Sequence, residues 1–305
     1  MSDRTKALIA IIAASLLWSS AGISKVVVRT FDPFTAGFLR YLIASLVILP
    51  FFLKEKRERN IDWTKLLPLS LLSGVNVGLF YIGLQSSSAN AATMIYAGAP
   101  IVTALLARQF IAERINIQKI IGLLVGLGGV LMITLLPTLE TGQNLSGDLR
   151  GNLFYLLAVI VWAVYSIGSQ KASATHNQSP ITISGLSIFS SCLLFGVITL
   201  FSWKPSYLPR VMEDGLWLTF LHLGIFVTVA PLLLYQWTIK LSSATTASLT
   251  TYLQPVSGVI FNMIFLGEQL TANFVLGGIV IIVGVAIATG ERFFSEIRLW
   301  RKRTK

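Results

Sequence analysis

Residues 246–270 read TASLTTYLQPVSGVIFNMIFLGEQL, an apolar helix-like run interrupted by Pro255 and followed by one acid, Glu268. Residues 89–115, ANAATMIYAGAPIVTALLARQFIAERI, hold Pro100 and Glu113 in the same relation. Both pairs are 155 positions apart, and sliding residues 86–134 by that offset matches 12 of 49 residues without a gap. The matches include Ser87/Ser242, Ser88/Ser243, Ala89/Ala244, Gly122/Gly277 and Gly129/Gly284. A weaker echo links Trp18 to Trp162 and Pro33 to Pro180. A proline and a glutamate kept in register through apolar sequence indicate that one unit was written twice.

Composition says what kind of unit it is. The chain has 305 residues, 54% of them hydrophobic and only 12% charged, about half the charge of an ordinary soluble protein. Mean hydropathy is +0.74. The charges cluster between runs close to the ~20 residues that a bilayer core demands. Ten such spans can be read: 7–27, 33–53, 65–85, 89–111, 117–136, 151–171, 180–202, 214–238, 243–266 and 272–290. Arg4 and Lys6 before the first span imitate a signal peptide, but nine further spans favour a retained helix. The expectation is an all-α integral membrane protein of ten transmembrane helices, arranged as two inverted five-helix repeats over 1–145 and 146–305. An odd number of spans per repeat forces opposite orientations, a pattern of carriers with a site between the halves.

With the N-terminus inside, 18 of 24 basic residues fall on the inner side, so both termini are expected in the cytoplasm of a cell inner (plasma) membrane. The net charge of +11 sits at span ends and in the tail. It therefore points to lipid headgroups, not to nucleic acid. The single cysteine, Cys192, excludes a disulfide framework.

These residues carry a resemblance. LLWSSAGISKVVVRTFDPFTAGFLRYLIASLVILPF near the N-terminus, and the A-x-x-A…P…E…G…G tail of each repeat, resemble the EamA-type transporters of the drug/metabolite transporter superfamily. The likeness implies a ten-helix carrier of small metabolites, often an exporter of amino acids or related compounds. Drug or organic-cation efflux and nutrient import (vitamins, nucleosides) on the same fold are the alternatives. Arg40 is similar to an arginine commonly found at this place in such proteins.

Candidate site residues follow from helical spacing. Pro100, Pro231 and Pro255 each remove an amide within a span and mark helix breaks. Asn76 and Phe80 share a face, as do Trp162, Tyr165 and Ser166. Trp18, Tyr96, Tyr235, Tyr252 and Gln254 add aromatic or polar groups inside spans. Aromatic walls with few hydrogen-bonding points suit a small, partly apolar organic solute. No Asp or Glu lies in the interior of a span. The intramembrane charges are Arg40 and Lys25, able to meet a substrate carboxylate, cap carbonyls or snorkel. Glu113 and Glu268 are expected to brace turns by accepting backbone amides at helix starts. His222 is expected to be a hydrogen-bonded structural residue, and His176 lies in a loop.

Metal and nucleophile motifs are absent from the sequence, as is a P-loop, so an enzyme and an ATP-driven pump are disfavoured and no cofactor is expected. GxxxG at Gly74/Gly78 and Gly122/Gly126 licenses close helix contact inside the chain, with a monomer or weak homodimer as the expected state.

Overall fold

The computed structural model describes residues 2–58, 61–87, 89–113, 115–141, 148–175, 177–213, 215–257 and 272–289. Among these the chain is helical throughout, with no strand. α1 (Asp3–Ser19), a 3-10 turn (Ser20–Ile23) and α2 (Ser24–Thr30) follow one another, then α3 (Pro33–Glu58) and α4 (Trp63–Ser86). α5 (Ala89–Tyr96) and α6 (Ala99–Phe110) precede α7 (Ile117–Thr141). α8 (Leu149–Thr175), α9 (Pro180–Ser202) and a short α10 (Tyr207–Glu213) come next. α11 (Leu216–Gly224) passes through a π-helical turn (Ile225–Val229) into α12 (Ala230–Leu241), before α13 (Ala244–Ser248) and α14 (Ala272–Thr289). Helix therefore occupies each of the ten expected stretches as far as it is described. Among the described residues, six stretches are long and apolar enough to cross a membrane: Thr5–Thr30, Pro33–Glu55, Trp63–Ser86, Leu149–Thr175, Pro180–Ser202 and Leu216–Leu241.

Polar residues set where the helices start. Asp32 accepts the Phe34 and Thr35 amides ahead of α3, Asp62 accepts Lys65 N, and Asn116 accepts Lys119 N at 2.8 Å. Ser179, followed by Pro180, accepts Thr182 N, and Ser243 accepts Thr246 N. Each cap satisfies an amide that the first helical turn cannot.

The surface and interior are sorted for lipid. On α9, Leu193, Leu200 and Phe201 are exposed, while Ser184, Ser187, Ser190 and Ser191 are buried. Small serines let helices approach closely, and the hydroxyls of Ser187, Ser190 and Ser191 are satisfied on the helix itself. Ser187 donates to Ile183 O at 2.8 Å and Ser190 to Leu186 O at 2.7 Å. In water this distribution would be inverted.

Helix pairing follows the duplication. α3 packs on α9, α4 on α8, α1 on α12, and α7 on α14. The α7/α14 seam is built of glycines: a methyl group on Gly129 would lie 2.8 Å from the Gly277 carbonyl oxygen, and one on Gly284 would lie 2.9 Å from that of Gly122. Adding 155 to Gly129 and subtracting it from Gly277 gives Gly284 and Gly122, so the first contact maps onto the second. Such reciprocity is the signature of a two-fold relation. Both GxxxG motifs face inward, since Gly74 meets Ser191 and Gly122 meets Ala288.

Two breaks differ from each other. The α5/α6 interruption sits at 97–98, next to Pro100 in the first turn of α6. In the second unit the interruption falls at Leu249, and Pro255 lies inside the helical run 250–257. Here the break comes earlier than the proline suggests. Hydroxyls allow this: Ser248 donates to Thr245 O, Thr250 to Ala247 O and Thr251 to Ser248 O, at 2.7–2.9 Å. A run of Ser and Thr can thus replace missing amides without a neighbouring helix.

Candidate functional site

Three rings from three helices meet inside the bundle. Trp18 of α1 lies 5.7 Å from Trp162 of α8, centroid to centroid, with planes at 80°. Tyr235 of α12 is 5.5 Å from Trp18 and 4.9 Å from Trp162. Tyr165, one turn from Trp162, adds a fourth ring at 5.2 Å. The hydroxyls are held: Tyr235 bonds Ser166 at 2.7 Å and Tyr165 bonds Ser187 at 2.9 Å. Gln236, fully buried, donates to Tyr165 Oη and Ser169 Oγ. We call this group the aromatic box.

A second cluster adjoins it through Val77, which packs against both. Phe80 stands edge-on to Tyr96, with centroids 5.9 Å apart, and also packs on Tyr155 at 5.7 Å. Asn76 donates to Tyr96 Oη at 3.0 Å and to Ala158 O at 2.7 Å. The shared face of Asn76 and Phe80 thus converges on Tyr96.

Arg40 is 6% exposed and binds the protein through three nitrogens. Nε donates to Thr228 Oγ1 at 2.6 Å, Nη1 to Tyr81 Oη at 3.1 Å and Nη2 to Val227 O at 3.0 Å. The guanidinium also lies 5.7 Å from the Tyr41 ring centroid and 5.9 Å from that of Tyr81. It braces α3 against the π-helical turn. Trp18 Nε1 donates to the same Val227 oxygen at 3.0 Å. Pro231 follows four residues later and has no amide to offer that carbonyl.

Other expected residues stand elsewhere. Tyr252 is fully buried in the α7/α14 seam, packed on Gly126 with its hydroxyl on Leu123 O at 2.9 Å. Gln254 is partly buried in the run 250–257. Lys25 caps a carbonyl, Ser87 O, at 3.1 Å. His222 bonds Ser20 Oγ at 2.8 Å, a structural contact as expected. Glu113 braces its turn differently from expectation: it forms an ion pair with Lys119 at 2.6 Å, both side chains over nine-tenths buried. The amide that it was expected to accept goes to Asn116. Glu268 and His176 lie outside the described residues.

Sequence reasoning missed Tyr81, Thr228, Val227 and Gln236. Only Val227 was signalled, by its spacing of four from Pro231. A surface cleft of about 440 Å³, lined by Arg108, Ala112, Glu113, Ile115 and Asn116, shares no residue with the aromatic clusters. Among the described residues no three His, Cys, Asp or Glu group together as a metal site.

A lipid-sorted helical bundle of duplicated build, with aromatic rings and many hydroxyls in its interior, defines a multi-pass membrane protein of the transporter class. The model of the EamA-like transporter family matches twice, over residues 5–135 and 149–290. The chain belongs to that family. It is 26% identical over 262 residues to an uncharacterized transporter of Clostridium kluyveri, covering 84% of this chain and 83% of that one. With the uncharacterized transporter YyaM of Bacillus subtilis it shares 24% over 274 residues, 88% of each. A solved structure titled "Crystal structure of protein" superposes with a TM-score of 0.72 at 19% identity, over 93% of this chain and 96% of that one. That likeness concerns the fold.

Proposed function

We propose that the protein is a secondary carrier of small organic solutes, working by alternating access between two inverted five-helix halves in a plasma membrane, and that amino acids or related carboxylated metabolites are its substrates. The observation that carries this reading is the meeting of Trp18 and Trp162, one from each half, with Tyr235 in the aromatic box. Substrate lies against these rings and against Phe80 and Tyr96, with Asn76 as a polar contact.

Aromatic boxes also bind organic cations through their ring faces, which favours drug efflux as a second reading. Charge decides between them. Arg40 Nη2 and Trp18 Nε1 share one acceptor, so a bound cation would face the guanidinium. At a separation of roughly 8 Å and an effective dielectric of about 20, like charges repel by about 2 kcal/mol, and a carboxylate gains as much. Arg40 thus acts on substrate by its field more than by its fork, because three of its N–H groups serve the protein.

Gating has a physical basis in the serines that stand at the starts of the fourth and ninth spans, Ser87 and Ser243. Ser87 is held by Lys25 through its carbonyl and by Asn152 through its hydroxyl at 2.7 Å. Ser243 receives Lys119 at 3.3 Å, and Ala244 N donates to Gln170 at 2.6 Å. In the inverted arrangement these closures stand at opposite membrane faces and open in turn. Export is the direction we favour from the family resemblance. Purified protein in proteoliposomes, loaded with single amino acids and assayed for counterflow of the labelled compound, tests the substrate class. Counterflow of quaternary-ammonium dyes that no amino or organic acid competes would replace it with the second reading.

A further inference from the structure

We propose that Pro231 is a positioning residue for the substrate: by withholding an amide from the Val227 carbonyl, it ties the Trp18 indole to span eight and sets one wall of the aromatic box. The inference rests on the reading of that box as the substrate site. In an uninterrupted α-helix residue 231 would donate to the carbonyl of residue 227. Proline cannot. Two side chains, 209 and 187 positions away in sequence, converge on this oxygen instead, each at 3.0 Å.

The backbone around it is adapted to that use. The π-helical turn Ile225–Val229 lies directly ahead of Pro231. Such turns redirect carbonyls out of the helical ladder. Thr228 Oγ1 donates to Leu223 O at 2.8 Å and accepts from Arg40 Nε at 2.6 Å. Leu223, Val227, Thr228, Arg40 and Trp18 thereby form one connected network. Rotation of the Trp18 ring would deprive a buried carbonyl of a donor, so the ring's orientation is bound to the proline's missing N–H. Because the same ring touches both Trp162 and Tyr235, its orientation fixes the width of the box.

Pro231→Ala returns the amide in a residue that favours helix. Protein labelled with indole-¹⁵N tryptophan in nanodiscs, with Trp18→Phe to assign the signal, reads the consequence directly. The Trp18 indole resonance should shift and its hydrogen exchange should quicken about fivefold, the loss of one ordinary hydrogen bond. The resonance of Trp217, which is 44% exposed, should stay in place. A Trp18 signal unmoved in a Pro231→Ala protein of normal melting behaviour overturns the proposal. In proteoliposomes with labelled L-phenylalanine, Pro231→Ala and Trp18→Phe should each raise KM with little change in maximal rate. The double variant should be no worse than the more affected single one; multiplying effects would overturn the coupling. If the unaltered protein does not carry L-phenylalanine, the choice of substrate fails by itself, and indole exchange still decides the role of Pro231.

Discussion

Trp18 and Trp162 meet edge to face, 5.7 Å between centroids, and they are the tryptophans that correspond in the two repeats. Each ring has further partners, Tyr235 for both and Tyr165 for Trp162. With ring contacts contributing about 0.5–1.5 kcal/mol each, Trp18→Ala and Trp162→Ala should each raise KM roughly tenfold. Transport kinetics in proteoliposomes give the answer, and an unchanged KM in both variants would remove the box from the substrate path.

Arg40→Lys keeps the charge but not the geometry. One ammonium cannot reach Thr228, Tyr81 and Val227 together, as the guanidinium does. Thermal melting should fall, by the equivalent of about 1–3 kcal/mol for a buried acceptor left short. An unchanged melting temperature with abolished transport would instead make Arg40 a direct substrate ligand.

The glycine seam predicts opposite outcomes for two glycines of α7. A methyl group at Gly122 would collide with the Ala288 amide nitrogen, whereas at Gly128 nothing comes within 4 Å. Gly122→Ala should destabilise by about 1–3 kcal/mol or prevent assembly. Gly128→Ala should be neutral or stabilise by about 0.4–1 kcal/mol, since alanine restricts the unfolded chain. Melting curves of the two variants, measured side by side, check the seam.

The Glu113–Lys119 pair is a structural test of energy coupling. Lys119→Met leaves Glu113 buried and unpaired, which costs about 3–5 kcal/mol, and Glu113→Gln in the same chain should recover much of it. Transport driven by a pH gradient should survive Glu113→Gln in whatever protein remains folded. Its loss at an unchanged melting temperature would make Glu113 a proton carrier.

Topology is open to a simple assay. Reporter fusions after Arg57 and after Lys305 should both signal cytoplasm. A C-terminus on the other face would mean an odd number of crossings and end the five-plus-five arrangement.

Much of this protein was legible in its sequence because the signals were local. Apolar run lengths and the 155-residue offset are read along the chain without knowing its neighbours. So is the missing amide at Pro231. What replaces that amide was not legible: Trp18 and Arg40 reach Val227 from other helices, and no periodicity encodes a partner some two hundred residues away. Helices apolar on every side also hide which face turns inward. For that reason Tyr96 and Tyr252, alike in sequence, part company, one joining Asn76 and Phe80, the other sealing the seam on Gly126. Sequence alone determined the membrane class and the duplication, through the fixed thickness of a bilayer and the register of matching residues. Only the tertiary structure decided which polar groups find each other, because a buried group that its own helix leaves unpaired, such as the Val227 carbonyl, is met by donors that folding brings from other helices.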